Sequence, residues 1–197
     1  MIELTSHSTA PHVVIVGSGP TLLGAGLGAK IDAVDIVIRF NRFETVGFEA
    51  DVGTRTDIWF GYMEPHPQIG TFKQVLFPWV GEVNIQKKFD RIERACRKLN
   101  IPFEKVEDKI VSRAYNILGQ TYPKVPKPRA GFVGLVWAMF QWPLKNISIV
   151  GFDCSGEQEC YYRPALLSAT TKNKHDIEQE KKVLNAWIKM GILKLLS

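Results

Sequence analysis

VVIVGSGPTLLGAGLGAKIDAVDIVIRFNRFETVGFEADVGTRTDIWF, residues 13–60, is the stretch from which the fold can be read. Val13–Val16 is continuously apolar, as a parallel strand covered on both faces requires. Gly17-Ser18-Gly19-Pro20 then forms a turn in which the backbone can approach a ligand at the carboxyl end of that strand. Open α/β sheets place their ligands there. A short helix follows, then a second strand closing on Arg39 and Asn41. A segment rich in glycine and charge, Gly47–Asp57, leads into a third strand.

Three readings of the turn compete on physics alone. A dinucleotide fingerprint needs a third glycine where Leu22 stands, and an acidic residue at the end of the second strand to hold a ribose. That strand ends instead in Arg39, Asn41 and Arg42. A phosphate loop of the Walker type is excluded, because no Gly-Lys-Ser/Thr follows. The third reading is a glycine turn that only lets the chain bend.

The whole stretch is more specific than its turn. Gly17, Leu22, Gly24, Gly26, Gly28, Ile31, Asp32, Asp35, Arg39 and Asn41, continued by Thr45-Val46-Gly47-Phe48-Glu49, Asp51-Val52-Gly53 and Arg55-Thr56, run without a gap. In these residues the chain resembles the long donor-binding motif of glycosyltransferase family 29, the sialyltransferases of eukaryotic type. One departure is Ser18, which stands where the family carries a donor-contacting Asn.

Length and composition set outer bounds. The 197 residues suit one domain, with Met1–His12 as a loose lead-in; 45% hydrophobic and 23% charged residues are ordinary for a globular chain. A net charge of +5 fits an anionic small substrate, a phospholipid surface or nucleic acid equally well. Cys96, Cys154 and Cys160 have no metal-type spacing. The disulfide that joins the two large motifs in vertebrate members would fall at about Val13 and near Trp142, so the resemblance implies that it is absent here. This favours a reducing compartment. No leader precedes Val13 and no run of 18 apolar residues occurs; the expectation is a compact, cytoplasmic member of bacterial or viral type.

Further along, Val75–Trp79 reads as a fourth strand and Ile85–Leu99 as an amphipathic helix with Cys96 on its core face. Ile101–Phe103 is a short strand candidate and Asp108–Leu118 a helix. Thr121–Arg129, within a basic proline-rich loop at residues 120–130, is either a solvated linker or a lid carrying Lys124, Lys127 and Arg129 towards an anion. Gly131–Trp142 is an apolar helix, stopped by Pro143, and Ile147–Val150 a strand closing on Gly151-Phe152. Amides at Ala130 and Gly131, at the head of that helix, suit a phosphate.

Here the family's short motif, Pro-Ser-Thr-Gly-Phe, a helix, a strand and Gly-Phe, is matched by Pro128-Arg129-Ala130-Gly131-Phe132 and Gly151-Phe152. Both family hydroxyls are replaced, and Arg129 is expected to supply a charge-assisted bond to phosphate or carboxylate instead. His175 with Glu180 resembles the family's very short motif, whose His is the general base. Imidazole titrates at about 6.5, which suits proton transfer at neutral pH, and a helix N-terminus favours its neutral form. Five residues turn a helix about 140°, so Glu178 is the expected orienting partner rather than Glu180. Cys160-Tyr161-Tyr162-Arg163 resembles a third motif, His-Tyr-Tyr and an acid, with its His missing. Tyr161, Tyr162 or Arg163 serves the leaving group, or the aromatics simply pack. His7, His12 and His66 need only surface or loop positions.

The resemblance implies an α/β fold with one Rossmann-like doubly wound sheet, a GT-A-like variant, and helices on both faces. It implies an inverting transfer of sialic acid from CMP-sialic acid to a glycan hydroxyl, with His175 as base and no metal or other cofactor. Ser18, Gly19, Asn41, Ala130, Gly131, Gly151 and Phe152 would hold the donor. No nucleic-acid partner is expected. The C-terminal stripe Val183, Leu184, Trp187, Ile188, Ile192, Leu195 and Leu196, accompanied by lysines, either packs on the sheet or rests weakly on a membrane surface. Transfer from another CMP-sugar such as CMP-Kdo, a decayed CMP-sugar-binding module, and a Rossmann oxidoreductase remain as rivals.

Overall fold

The structure, a computed structural model, describes residues 10–78, 85–152, 160–162 and 175–197. Its strands are β1 (Val13–Val16), β2 (Ile36–Phe40), β3 (Ile58–Phe60), β4 (Gln74–Phe77), β5 (Phe103–Lys105), β6 (Ile147–Val150) and β7 (Lys194–Leu195). They form one sheet in the order β5-β4-β3-β2-β1-β6-β7, every pairing parallel. The chain winds outward from β1 to β5, then crosses back to lay β6 on the other side of β1. The topological switch point therefore lies between β1 and β6.

The described helices are α1 (Gly28–Ala33), α2 (Glu49–Val52), α3 (Ile85–Leu99), α4 (Asp108–Ile117), α5 (Ala130–Gln141) and α6 (Ile177–Lys189). The period-2 alternation of the strands divides them between two faces. Val13 and Ile15 enter the core formed with α4, α5 and α6. Val14 and Val16 pack instead with α1 and α2, and Val75 and Phe77 with α3. Helices thus cover both faces, as expected. At Gly134 of α5 an added Cβ would lie 2.3 Å from the Phe40 ring, so only glycine lets that helix come so close to β2.

The limits of two strands differ from the sequence reading, and those of α4 and α5 by one residue. β4 begins one residue earlier than predicted and ends at Phe77; Trp79 lies outside the described residues. β5 is displaced to Phe103–Lys105 because α3 ends in a reverse turn: Asn100 is left-handed (φ 54°) and the Ile101 amide donates to the Cys96 carbonyl at 2.9 Å. That turn consumes Ile101 and Pro102 as a connector.

The C-terminal stripe is likewise broken. Gly191 (φ 70°) closes α6, with the Ile192 amide on the Trp187 carbonyl at 2.8 Å. Lys194–Leu195 becomes the edge strand beside β6, and Leu195 is exposed. The apolar side of α6 is spent on the core: Leu184 is buried and Trp187 stacks on Phe132 at 5.8 Å between centroids. The expected weak membrane association therefore lacks support, since most of the stripe it needed packs against the core and Leu195 belongs to the edge strand instead. Among the described residues no helix is long and apolar enough to cross a membrane.

His66 lies in a loop, as read, but is buried there. It stacks on Phe43 at 4.1 Å between centroids, donates from Nε2 to the Phe43 carbonyl and accepts the Gln68 amide at Nδ1, both at 3.1 Å. That pair of bonds requires the neutral ring. Burial lowers its pKa below 6.5, although the Phe43 carbonyl and Glu44 oppose the shift. Its contribution to stability is therefore complete above pH 6.5 and is lost as pH falls through the depressed folded value. Urea unfolding between pH 7 and 5 is expected to show stability falling with pH, with a smaller slope in His66→Gln.

Candidate active site

The long motif is mostly architecture. Asp32 accepts the amides of Thr54 and Arg55 and the Thr54 hydroxyl, at 2.9–3.0 Å. Burial works to raise its pKa, but these bonds win and the net shift is downward. Asp51 ties down the glycine-rich loop by accepting the Gly24 and Gly26 amides at 2.8 and 2.9 Å. Arg39 is 1% exposed and donates to the Arg55 carbonyl at 3.1 Å and to the Val52 carbonyl. Burial pushes its guanidinium down to about 10. These three side chains hold backbone, and none is presented to a ligand.

At the switch point the turns after β1 and β6 are sewn together. Gly17 donates to the Val150 carbonyl and Gly19 to the Gly151 carbonyl, both at 2.8 Å. The Gly19 amide is thus engaged within the protein, while Ser18 between them is half-buried and its carbonyl takes the Tyr161 amide at 3.1 Å. Gly151 is left-handed (φ 68°) and fits against Leu22. Phe152 meets Phe40 edge-on at 6.4 Å and lies beside Gly131, where an added Cβ would sit 3.4 Å from its ring. Asn41 follows β2 with φ 49°; its backbone bonds to Phe60 and to the Trp59 indole, and the residue is exposed.

α5 starts at the same edge, because a crossover helix leads from the carboxyl ends of the strands back to the start of the next one. The amides of Ala130 and Gly131 belong to its first turn and have no intrahelical acceptor; among the described residues no side chain caps them. Arg129 has an internal partner. Its Nε donates to Glu180 Oε2 at 2.6 Å and its amide to Oε1 at 2.7 Å. Sequence reading did not foresee this internal ion pair, which forms where the first turn of α6 meets the head of α5. Burial raises the pKa of Glu180, with Arg129 opposing. Lys127 is also folded in: it is buried, with Nζ 3.4 Å from the Tyr62 hydroxyl, while Lys124 is exposed.

His175 precedes α6, whose cap is Asp176, accepting the Gln179 amide at 2.9 Å. The His175 Nδ1 lies 2.7 Å from the Lys127 carbonyl. A carbonyl only accepts, so Nδ1 carries a proton. The orienting partner is that carbonyl and not Glu178, which is exposed. Nothing local in the sequence signals a contact between residues 48 positions apart.

The tyrosines act as staples. Tyr161 donates its hydroxyl to the Glu44 carbonyl, accepts the Glu44 amide at 3.2 Å, and its own amide reaches the Ser18 carbonyl at 3.1 Å. The Tyr162 hydroxyl donates to the Arg42 carbonyl at 2.8 Å. Burial raises the Tyr161 phenol to about 12, so it stays protonated. With both hydroxyl protons on backbone carbonyls, the packing alternative fits these two better than support of a leaving group. Arg163 lies outside the described residues. Tyr161→Phe is expected to cost about 1–3 kcal/mol, because both backbone polar groups of Glu44 lose their partner; urea unfolding measures it.

A doubly wound parallel sheet with its open backbone groups gathered at the switch point is the architecture of nucleotide-binding α/β enzymes. The particular family follows from comparison. The model described as Glycosyltransferase family 29 (sialyltransferase) matches residues 3–192, and the chain belongs to that family of glycosyltransferases. Mouse CMP-N-acetylneuraminate-beta-galactosamide-alpha-2,3-sialyltransferase 4 is 28% identical over 236 residues, covering 100% of this chain and 70% of that protein. Human CMP-N-acetylneuraminate-beta-1,4-galactoside alpha-2,3-sialyltransferase is 24% identical over 212 residues, covering 93% and 56%. A crystal structure of a mammalian sialyltransferase in complex with Gal-beta-1-3GalNAc-ortho-nitrophenol shares the fold with a TM-score of 0.63 at 17% identity, over 95% of this chain and 69% of that one.

Proposed function

We propose that this chain transfers sialic acid from CMP-sialic acid to a glycan hydroxyl, with inversion and without a metal. The carrying observation is the 2.7 Å contact of His175 Nδ1 with the Lys127 carbonyl at the start of α6, which puts a proton on Nδ1, so that in the neutral ring Nε2 is the basic nitrogen. The acceptor oxygen attacks the anomeric carbon as the bond to the CMP phosphate breaks, and its proton passes to His175 Nε2. The first-turn amides of α5 at Ala130 and Gly131 bind the departing phosphate. Ser18 and Asn41 contact the donor from the ends of β1 and β2. The names of the relatives favour a galactoside acceptor and an α-2,3 linkage. They likewise favour CMP-sialic acid over CMP-Kdo.

Calorimetric titration with CMP, CMP-sialic acid, CMP-Kdo and NADH tests this reading, followed by incubation of each donor with and without galactosides. Micromolar CMP binding and transfer from CMP-sialic acid, unchanged by EDTA, are expected. Binding without turnover would make the chain a donor-binding module, a reading to which the Cys160 substitution in the third motif lends weight. Binding of NADH in place of CMP would overturn the proposal.

A further inference from the structure

The strap that leaves the end of β2, residues 41–46, alternates as an extended chain does: Phe43 and Thr45 are buried, while Arg42, Glu44 and Val46 are exposed. Its first four carbonyls are each taken by a side chain from elsewhere in the fold. The Trp59 indole donates to Asn41 at 2.8 Å, the Tyr162 hydroxyl to Arg42 at 2.8 Å, His66 Nε2 to Phe43 at 3.1 Å, and the Tyr161 hydroxyl to Glu44. The root of the Arg42 side chain is therefore fixed, although the side chain itself is exposed. The strap also starts beside the head of α5. Phe40, the last residue of β2, lies under that helix: a Cβ added at Gly131 would sit 4.0 Å from its ring, and one at Gly134 2.3 Å. Arg42 is two residues farther on, about 7 Å of chain at most. Two other arginines are engaged internally, Arg39 with backbone carbonyls and Arg129 with Glu180. Among the described residues Arg42 pairs with no carboxylate.

We infer that Arg42 is a specificity-determining residue for the donor, taking the carboxylate of the sugar in CMP-sialic acid. This rests on the transferase reading above. In that donor the carboxylate and the phosphate oxygen are borne on one carbon atom. A phosphate at the first turn of α5 therefore leaves the carboxylate one carbon away, within the span of a long side chain rooted next to Asn41. The two anions call for different partners. Backbone amides suit the phosphate, whereas a planar guanidinium meets a carboxylate with two parallel N–H donors. The fixed root reduces the conformational freedom that Arg42 loses on engaging it. Arg42 thus selects sugars that carry an acid at the anomeric carbon over neutral ones, and it does not separate one such acid sugar from another.

The experiment titrates CMP, CMP-sialic acid and the methyl ester of its carboxylate into the wild type, Arg42→Met and Arg42→Lys, and records thermal unfolding of each. The wild type is expected to bind the acid about tenfold more tightly than the ester, the lower end of what a charge-assisted hydrogen bond contributes. Arg42→Met should abolish that preference by weakening the acid alone, with CMP and the ester bound within about twofold of wild type. Arg42→Lys, which keeps the charge without the fork, should fall between the two. Both variants should unfold at the wild-type temperature, because the side chain is exposed. Equal weakening of CMP and CMP-sialic acid in Arg42→Met would overturn the inference by assigning Arg42 to the phosphate. Full retention of the acid's preference over the ester would overturn it too, and would leave the transferase reading intact. A wild type that binds CMP without turnover still decides the matter, since the comparison is of binding alone. A wild type that binds neither CMP nor CMP-sialic acid would overturn the transferase reading, and Arg42's role with it.

Discussion

His175→Ala is expected to lower the transfer rate by about 10²–10⁴-fold, the usual worth of a positioned general base, while CMP affinity changes little. The separation follows from the geometry. On the proposed mechanism the phosphate would be taken by the amides of Ala130 and Gly131 in the first turn of α5, whereas the imidazole is held separately, by the Lys127 carbonyl. Removing the ring therefore takes away a proton acceptor and leaves the donor seat standing. Initial rates with saturating donor, paired with CMP titration of the same preparation, measure both quantities. An alanine variant that keeps a tenth or more of the wild-type rate would exclude His175 as the base.

Gly17→Ala is expected to have the largest effect on the fold at the switch point. Its added Cβ would lie 2.1 Å from the Gly151 carbonyl oxygen and 2.7 Å from the carbon. Those are backbone atoms of the neighbouring turn, so no side chain can move aside. The turns of β1 and β6 would have to part, with the bonds of Gly17 to Val150 and of Gly19 to Gly151 weakened together. The cost should reach or exceed the upper end of the roughly 1–3 kcal/mol typical of overpacking, and CMP binding should be lost with it. Gly131→Ala is the control. Its Cβ would meet nothing nearer than the Phe152 ring at 3.4 Å, and alanine in a helix is favoured over glycine by about 1 kcal/mol, so near-wild-type stability is expected. Urea unfolding of both variants tests the contrast, and comparable losses in the two would defeat it.

The parts of this protein that were legible in the sequence are those decided by neighbours along the chain. The unbroken apolar run of Val13–Val16 specified a strand covered on both faces. The 3.6-residue rhythm of Ile85–Leu99 gave α3 its limits and placed Cys96 in the core, where it is fully buried. The long motif identified the family because its letters repeat a common architecture. The same letters did not show that the Gly19 amide is a stitch between the turns of β1 and β6.

Partner choice between distant residues was not legible. Arg129 carries a charge at the head of a helix, and by sequence alone an anionic ligand is its natural partner; the structure brings Glu180 to it across 51 positions. Tyr161 and Tyr162 read as site residues or packing aromatics, and only the fold shows them closing onto Arg42 and Glu44, some 120 positions earlier. His66 was unremarkable in a loop until Phe43 was found stacked on it.

Sequence by itself determined the sheet, its two-sided burial and the family, because strand, helix and turn preferences act over a few residues and sum along the chain. The tertiary structure alone decided which polar groups are free to meet a donor and which are already engaged. A charged or hydroxyl group takes whichever partner folding brings within about 3 Å, and that distance is set by packing of the whole chain.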